Sequence, residues 1–178
     1  MITTAYCQHM ARYNRWQNQS VYAACEKLTD DTRKRNMGAF FKSIHNTLNH
    51  LMVADRLWLS RFDGEPAGDI YSLDQVLYTD FEELKKQRGF TDDRADRYIA
   101  TLTQARIDSA LTFRRVGGNK DEVSMPMHIC LMHYFSHGTH HRGQVTTLLM
   151  QCGVDPGVTD LPWLPKDFAS PIFGLGQG

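Results

Sequence analysis

Apolar residues recur along this chain at three- and four-residue intervals, and almost nowhere in the strict alternation of a half-buried strand. From Thr4 to about Leu28 the positions Tyr6, Met10, Tyr13, Gln17, Val21, Ala24 and Leu28 share one helical face. Thr29-Asp30-Asp31 interrupts that pattern and could cap a following helix. A second period over about Phe40–Phe62 carries Phe40, Ile44, Leu48, Leu51, Asp55 and Trp58, and Asp63-Gly64-Glu65-Pro66 stops it. Ser72, with Gln75 at the capping-box position, predicts a third helix to about Leu102, with a kink point at Gly89. The fourth takes Pro126 in its first turn, runs from Met127 to Gln151 and stops at Gly153. Between the third and fourth, Leu111-Thr-Phe and Val123-Ser-Met flank Gly117-Gly118-Asn119-Lys120, which predicts either a short hairpin or a long loop. Beyond Gly153, Pro156, Pro162, Pro165 and Pro171 exclude helix, so 153–178 is expected as an extended tail packed through Trp163 and Phe168. The expected fold is all-α, an antiparallel four-helix bundle forming one domain over 1–178.

Charge and composition narrow the function. Twenty Lys+Arg against twenty Asp+Glu give a formal charge of +0, which argues against a nucleic-acid module and against a polybasic membrane clamp. No apolar run reaches a membrane span, and the first sixteen residues hold no basic segment followed by an apolar one. Cys7, Cys25, Cys130 and Cys152 are scattered without a C-x-x-C pair, so they are expected as reduced thiols in a cytoplasmic protein. A small-molecule partner fits this balance better than nucleic acid or membrane.

The chain has eight histidines, five of them (His128, His133, His137, His140, His141) within one short stretch of the fourth helix. On a wheel of ~100° per residue with His137 at zero, His133 falls at about −40° and His141 at about +40°, so the three form one stripe expected to face inward. His140 lies at its edge and His128 opposite. Histidines spaced i, i+4 bring two imidazoles over one patch, where both can bind one ion at about 2.0–2.1 Å. The alternative is that each ring merely donates to a carbonyl or carboxylate. A ligand from a facing helix is needed, and His50, sharing its face with Ala54 and Leu57, is the candidate. Three imidazoles without a fourth protein ligand is the catalytic rather than the structural pattern. Such a set admits zinc, nickel, iron or copper. His9 and His45 are expected to be structural or exposed.

His137-Gly-Thr-His-His-Arg-Gly-Gln144, with Val145-Thr-Thr-Leu-Leu and Asp155-Pro156 after it, resembles the DinB (DNA-damage-inducible) family. Leu48-Asn-His-Leu-Met-Val-Ala-Asp55-Arg-Leu-Trp58 and Tyr13-Asn-Arg-Trp16 resemble that family's second-helix and first-helix motifs. The resemblance implies a four-helix bundle, often homodimeric, with a divalent transition metal (zinc, nickel or iron) on His50, His137 and His141. It leaves His133, His140 and Gln144 as alternative ligands or as groups orienting the ligating rings. It also implies a metal-dependent enzyme in which an activated low-molecular-weight thiol or a water attacks a small electrophile, as in a transferase or hydrolase. The alternative is a non-enzymatic metal-binding bundle of the stress response. No catalytic acid or base can be named: Asp55 and Arg142 both fall about 140° from the histidines on their own helices. Trp163 is expected near a pocket mouth.

Overall fold

Short polar side chains start the helices. In the computed structural model, which describes residues 2–116 and 121–168, Thr3, Thr29, Ser43, Asp80 and Thr103 each accept a hydrogen bond from a backbone N–H of the following turn. Each such cap contributes about 1 kcal/mol. They open α1 (Thr4–Glu26), α2 (Asp30–Lys34), α3 (Ile44–Asp63), α4 (Phe81–Thr101) and α5 (Gln104–Ile107). Strands β1 (Ala110–Arg114) and β2 (Glu122–Pro126) follow, then α6 (Met127–Gln151). The protein is thus mostly helical with one small antiparallel sheet, in which Leu111 faces Met125 and Phe113 faces Val123. The segment before α6 is therefore a hairpin; its expected turn at 117–120 lies outside the described residues. No helix among the described residues is long and apolar enough to cross a membrane.

Two helix starts depart from the periodicity. The second long helix begins at Ile44 rather than Phe40, because Ser43 accepts from Asn46 N while Lys42 takes a left-handed φ of 70°. That turn leaves Phe40 84% exposed. The third begins at Phe81 rather than Ser72. Ser72 hydrogen-bonds Asp74, and the Gln75 side chain reaches back to Tyr71 N and Asp69 O, closing a local turn. Asp80, followed by Glu82 and Glu83, supplies the stronger start. Residues 64–80 are consequently a connection, pinned by buried Asn49, whose side chain accepts from Tyr78 N and donates to Tyr78 O.

The tail also holds on differently. Tyr13 Oη donates to Thr159 O at 2.7 Å and Gln17 Nε2 donates to Val158 O at 3.0 Å, so α1 anchors it through backbone carbonyls. Phe168 is half-buried, but Trp163 is 70% exposed and does not hold the tail down. The expected tail residues 169–178 lie outside the described residues.

The four long helices meet around a divided core, α1 and α3 each packing on both α4 and α6. One apolar cluster gathers Cys7, Ala11, Leu59, Phe62, Ile99, Leu131 and Phe135; a second gathers Val21, Leu48, Met52, Leu84, Val145 and Leu149. On each long helix, buried polar residues fall between the two: Asn14 and Asn18 on α1, Asp55 on α3, Arg88 and Asp92 on α4, Arg142 on α6. Arg88 bridges Asp55 at 2.6 Å and Asp92 at 2.8 Å, and Asn18 donates to Asp92 at 2.9 Å. Arg142 donates to Asn14 at 2.6 Å and to Asn18 at 3.3 Å. Two guanidinium groups and two carboxylates balance, so the layer carries no net charge into the interior. Burial pushes the Asp92 carboxyl up to about 6, against the pull of Arg88 and Asn18.

Candidate metal centre

The polar layer sets the rotation of α6, and this corrects the expected inward stripe. Tyr134, Gly138, His141, Arg142 and Val145 are buried, His137 is half-buried, and His133 and His140 are exposed. The buried face centres about 80° round the helix from His137, at ~100° per residue. Arg142 must reach Asn14 and Asn18, so the histidines run along the edge where α6 meets α3. Gly138 makes room for this: a Cβ there would stand 3.0 Å from Arg142 Nη1.

At that edge His50, His137 and His141 converge, each offering a ring nitrogen, with all three atoms within 4.8 Å of one another. Among the described residues they are the one set of three or more His, Cys, Asp or Glu side chains so arranged. His50 Nδ1 donates to Leu73 O at 2.7 Å, which leaves Nε2 as the lone-pair nitrogen. His141 Nδ1 donates to Gln144 Oε1 at 2.8 Å, with the same effect. His50 Nε2 and His137 Nε2 stand 3.2 Å apart. Two imidazole nitrogens sharing one ion at 2.0–2.1 Å would be separated by roughly 2.9–3.4 Å, for bond angles from octahedral to tetrahedral. The His50–His137 pair therefore has the spacing of two ligands on one divalent metal, the His141 nitrogen lies within 4.8 Å of both, and a carbonyl and an amide orient the His50 and His141 rings.

Burial lowers the pKa of all three. For His137 it falls to about 3, burial acting first and the neighbouring His141 and His50 adding repulsion. The rings are neutral at pH 7, the protonation state that binds metal. Phe41 covers the set, stacked on His50 at 3.9 Å and edge-on to His141 at 5.6 Å. The turn at Lys42 aims it there. Neither Phe41 nor the Leu73 carbonyl could be picked out by periodicity, since both lie in connections.

The other candidates fall elsewhere. His133 stands 5.4 Å from His137 and 5.1 Å from Trp58, ring to ring, at the wall of a cavity beside the three. His140 contacts Gln144 Nε2 at 3.2 Å, so it touches the amide that holds His141. Gln144 itself bonds His141 and not α1. His45 is buried, and its Nε2 donates to Tyr78 O at 2.8 Å, a structural role that helps hold the 64–80 connection. His9 and His128 are half-buried and do not join the set. Asp55 and Arg142 belong to the polar layer. The cavity, about 460 Å³, opens between α3, the hairpin and α6, with His50, His133 and His137 on one wall and Trp58, Phe113 and Ile129 on others. Trp163 is not among its lining residues.

Two comparisons with known proteins bear on the chain's family. Protein DinB of Bacillus subtilis (strain 168) is 26% identical over 151 residues, spanning 83% of this chain and 87% of that one. The model described as DinB family matches residues 1–168, and the chain belongs to the DinB family.

Proposed function

We propose that this protein is a metal-dependent enzyme that directs a thiol or a water at a small electrophile, acting as an S-transferase or a hydrolase. The observation that carries the reading is the convergence of the ring nitrogens of His50, His137 and His141 beside an apolar cavity of about 460 Å³. The three histidines would hold a zinc, nickel or iron ion, and the four long helices would form an antiparallel bundle around it. A bound ion would supply Lewis acidity, bringing the pKa of a thiol or water toward neutrality.

The chain's own residues do the remaining work. Leu73 O and Gln144 fix His50 and His141 as Nδ1–H tautomers, so their free nitrogens point at the centre without rearrangement. Phe41 shields one side of His50 from water. The cavity walls receive an apolar reactant, and three protein ligands leave coordination positions for the nucleophile. That openness supports catalysis over a purely structural metal.

Metal-loaded and chelator-stripped protein, assayed with a small thiol plus a chromogenic electrophile and with a chromogenic ester, tests the proposal. Turnover that requires metal in either assay is expected. Metal-replete protein inactive in both would overturn it in favour of a binding role.

A further inference from the structure

The cavity is lined by a cation that no carboxylate among the described residues neutralises. Arg61, in the last turn of α3, places its guanidinium 4.6 Å from the Trp58 ring and 4.4 Å from the Phe113 ring. The two rings are themselves 5.4 Å apart and inclined at 66° to each other, so the guanidinium rests in the corner that a helix ring and a hairpin ring make together. Among the described residues Arg61 has no hydrogen-bond or ion-pair partner, in contrast to Arg15, Arg88 and Arg94, each of which meets carboxylates. Nor are its nitrogens buried orphans. Its donors therefore open to the cavity or to solvent while the two rings hold it against the wall. Burial lowers its pKa below the usual arginine range.

The surroundings fit the same ligand. Arg115 lines the cavity too, and no aspartate or glutamate is among the described lining residues, in a chain whose charges balance overall. The remaining wall is largely apolar: Leu57, Trp58, Phe113, Val116, Met125 and Ile129. Its volume lies in the range of pockets that bury drug-sized ligands, roughly 300–1,000 Å³. A chain of ring contacts, Trp58 to His133 to His137, connects the cation to the histidine centre.

We propose that the cavity takes a small acid with an apolar, ring-bearing body and one carboxylate, and that Arg61 is the residue that selects the carboxylate. The inference rests on the reading of this cavity as the substrate site, and it names the substrate's chemical class. A planar guanidinium offers a paired set of N–H donors to a carboxylate, and the flanking rings hold that fork in place before the ligand arrives. A carboxylate on a thiol co-substrate would satisfy the same fork, but would make no use of the apolar wall.

Calorimetric titration separates these cases. Naphthylacetate is compared with the neutral naphthylacetamide, and mercaptopropionate with its amide, against wild-type, Arg61→Gln and Arg61→Lys proteins, each metal-stripped and metal-loaded. Circular dichroism and metal content serve as fold controls. The expected result is a preference of about tenfold or more for naphthylacetate over its amide, already present in stripped protein. It is lost in Arg61→Gln and partly kept in Arg61→Lys, which retains the charge but not the fork. If Arg61→Gln does not fold, the Arg61 Nε–H resonance of the wild type decides, shifting with the acid and not with the amide. Equal affinity for acid and amide overturns the proposal, as does a preference that survives in Arg61→Gln. So does one that appears only after metal loading, or only with the mercapto pair. Because the first arm needs no metal, its failure is separate from failure of the metal centre.

Discussion

Replacing Arg88 by methionine removes the one cation that touches both buried carboxylates of the polar layer. Asp55 Oδ2 loses a partner at 2.6 Å and Asp92 Oδ1 one at 2.8 Å, in side chains no more than 10% exposed. Breaking a buried pair by removing one partner costs about 3–5 kcal/mol, because the other charge stays behind in the interior. Asp92 can escape part of that cost by taking up a proton. Its folded pKa of about 6 already lies above the unfolded value near 3.9, so its charged form is the one the fold disfavours. The native state then binds more protons than the unfolded state between those values, and this carboxyl withdraws stability as pH rises through that window. Without Arg88 the withdrawal must grow. The prediction is a loss of about 3–5 kcal/mol at pH 7.5, or roughly 6–20 °C in thermal midpoint, and a smaller loss at pH 5. Urea denaturation followed by circular dichroism at both pH values, with chelator present to remove any metal linkage, measures it. A loss under about 1 kcal/mol at pH 7.5, or a larger loss at pH 5 than at pH 7.5, would refute this role for the layer.

Further predictions concern α6 and its surroundings. Gly138→Ala places a Cβ 3.0 Å from Arg142 Nη1, so overpacking of about 1–3 kcal/mol should outweigh the ~1 kcal/mol gain in helix propensity. Gly143→Ala, with nothing within 4 Å, should stabilise by up to ~1 kcal/mol; equal signs for the two in urea melts would contradict the close packing of Arg142 over Gly138. Gln144→Ala removes the acceptor of the His141 Nδ1 proton and should weaken metal affinity about 10–100-fold by competition with a chelating dye. Unchanged affinity would show that Gln144 does not orient that ring.

The long helices were legible wherever an apolar period abutted a cap or stop. Gly64 at φ 80° and Gly153 at φ 75° end α3 and α6 where the sequence places breaks. Legibility failed where a local signal competed with a tertiary one. Ser72 and Gln75 look like a capping box, yet they close a turn on themselves, and the connection they belong to delivers the Leu73 carbonyl to His50. The three histidines could be picked out because i, i+4 spacing is a local property, and His50 because its face was apolar. The rotation of α6 could not, since a helical wheel gives relative directions and not the direction of the core. That direction is set by Arg142 reaching Asn14 and Asn18 over a hundred residues earlier in the chain, and no local pattern encodes such a pairing. Arg61 was illegible for the same reason: its partners, Trp58 and Phe113, come from a helix and a hairpin that only the fold brings together.

The central claim is that His50, His137 and His141 together hold one metal ion. Elemental analysis of untagged protein purified without chelator, beside His50→Ala and His137→Ala variants with unchanged circular dichroism, tests it most directly. The expected result is about one zinc, nickel or iron per wild-type chain and a large loss of that metal in both variants. Full stoichiometry retained in His137→Ala, or metal-free wild-type protein that takes up no divalent ion when it is supplied, would contradict it.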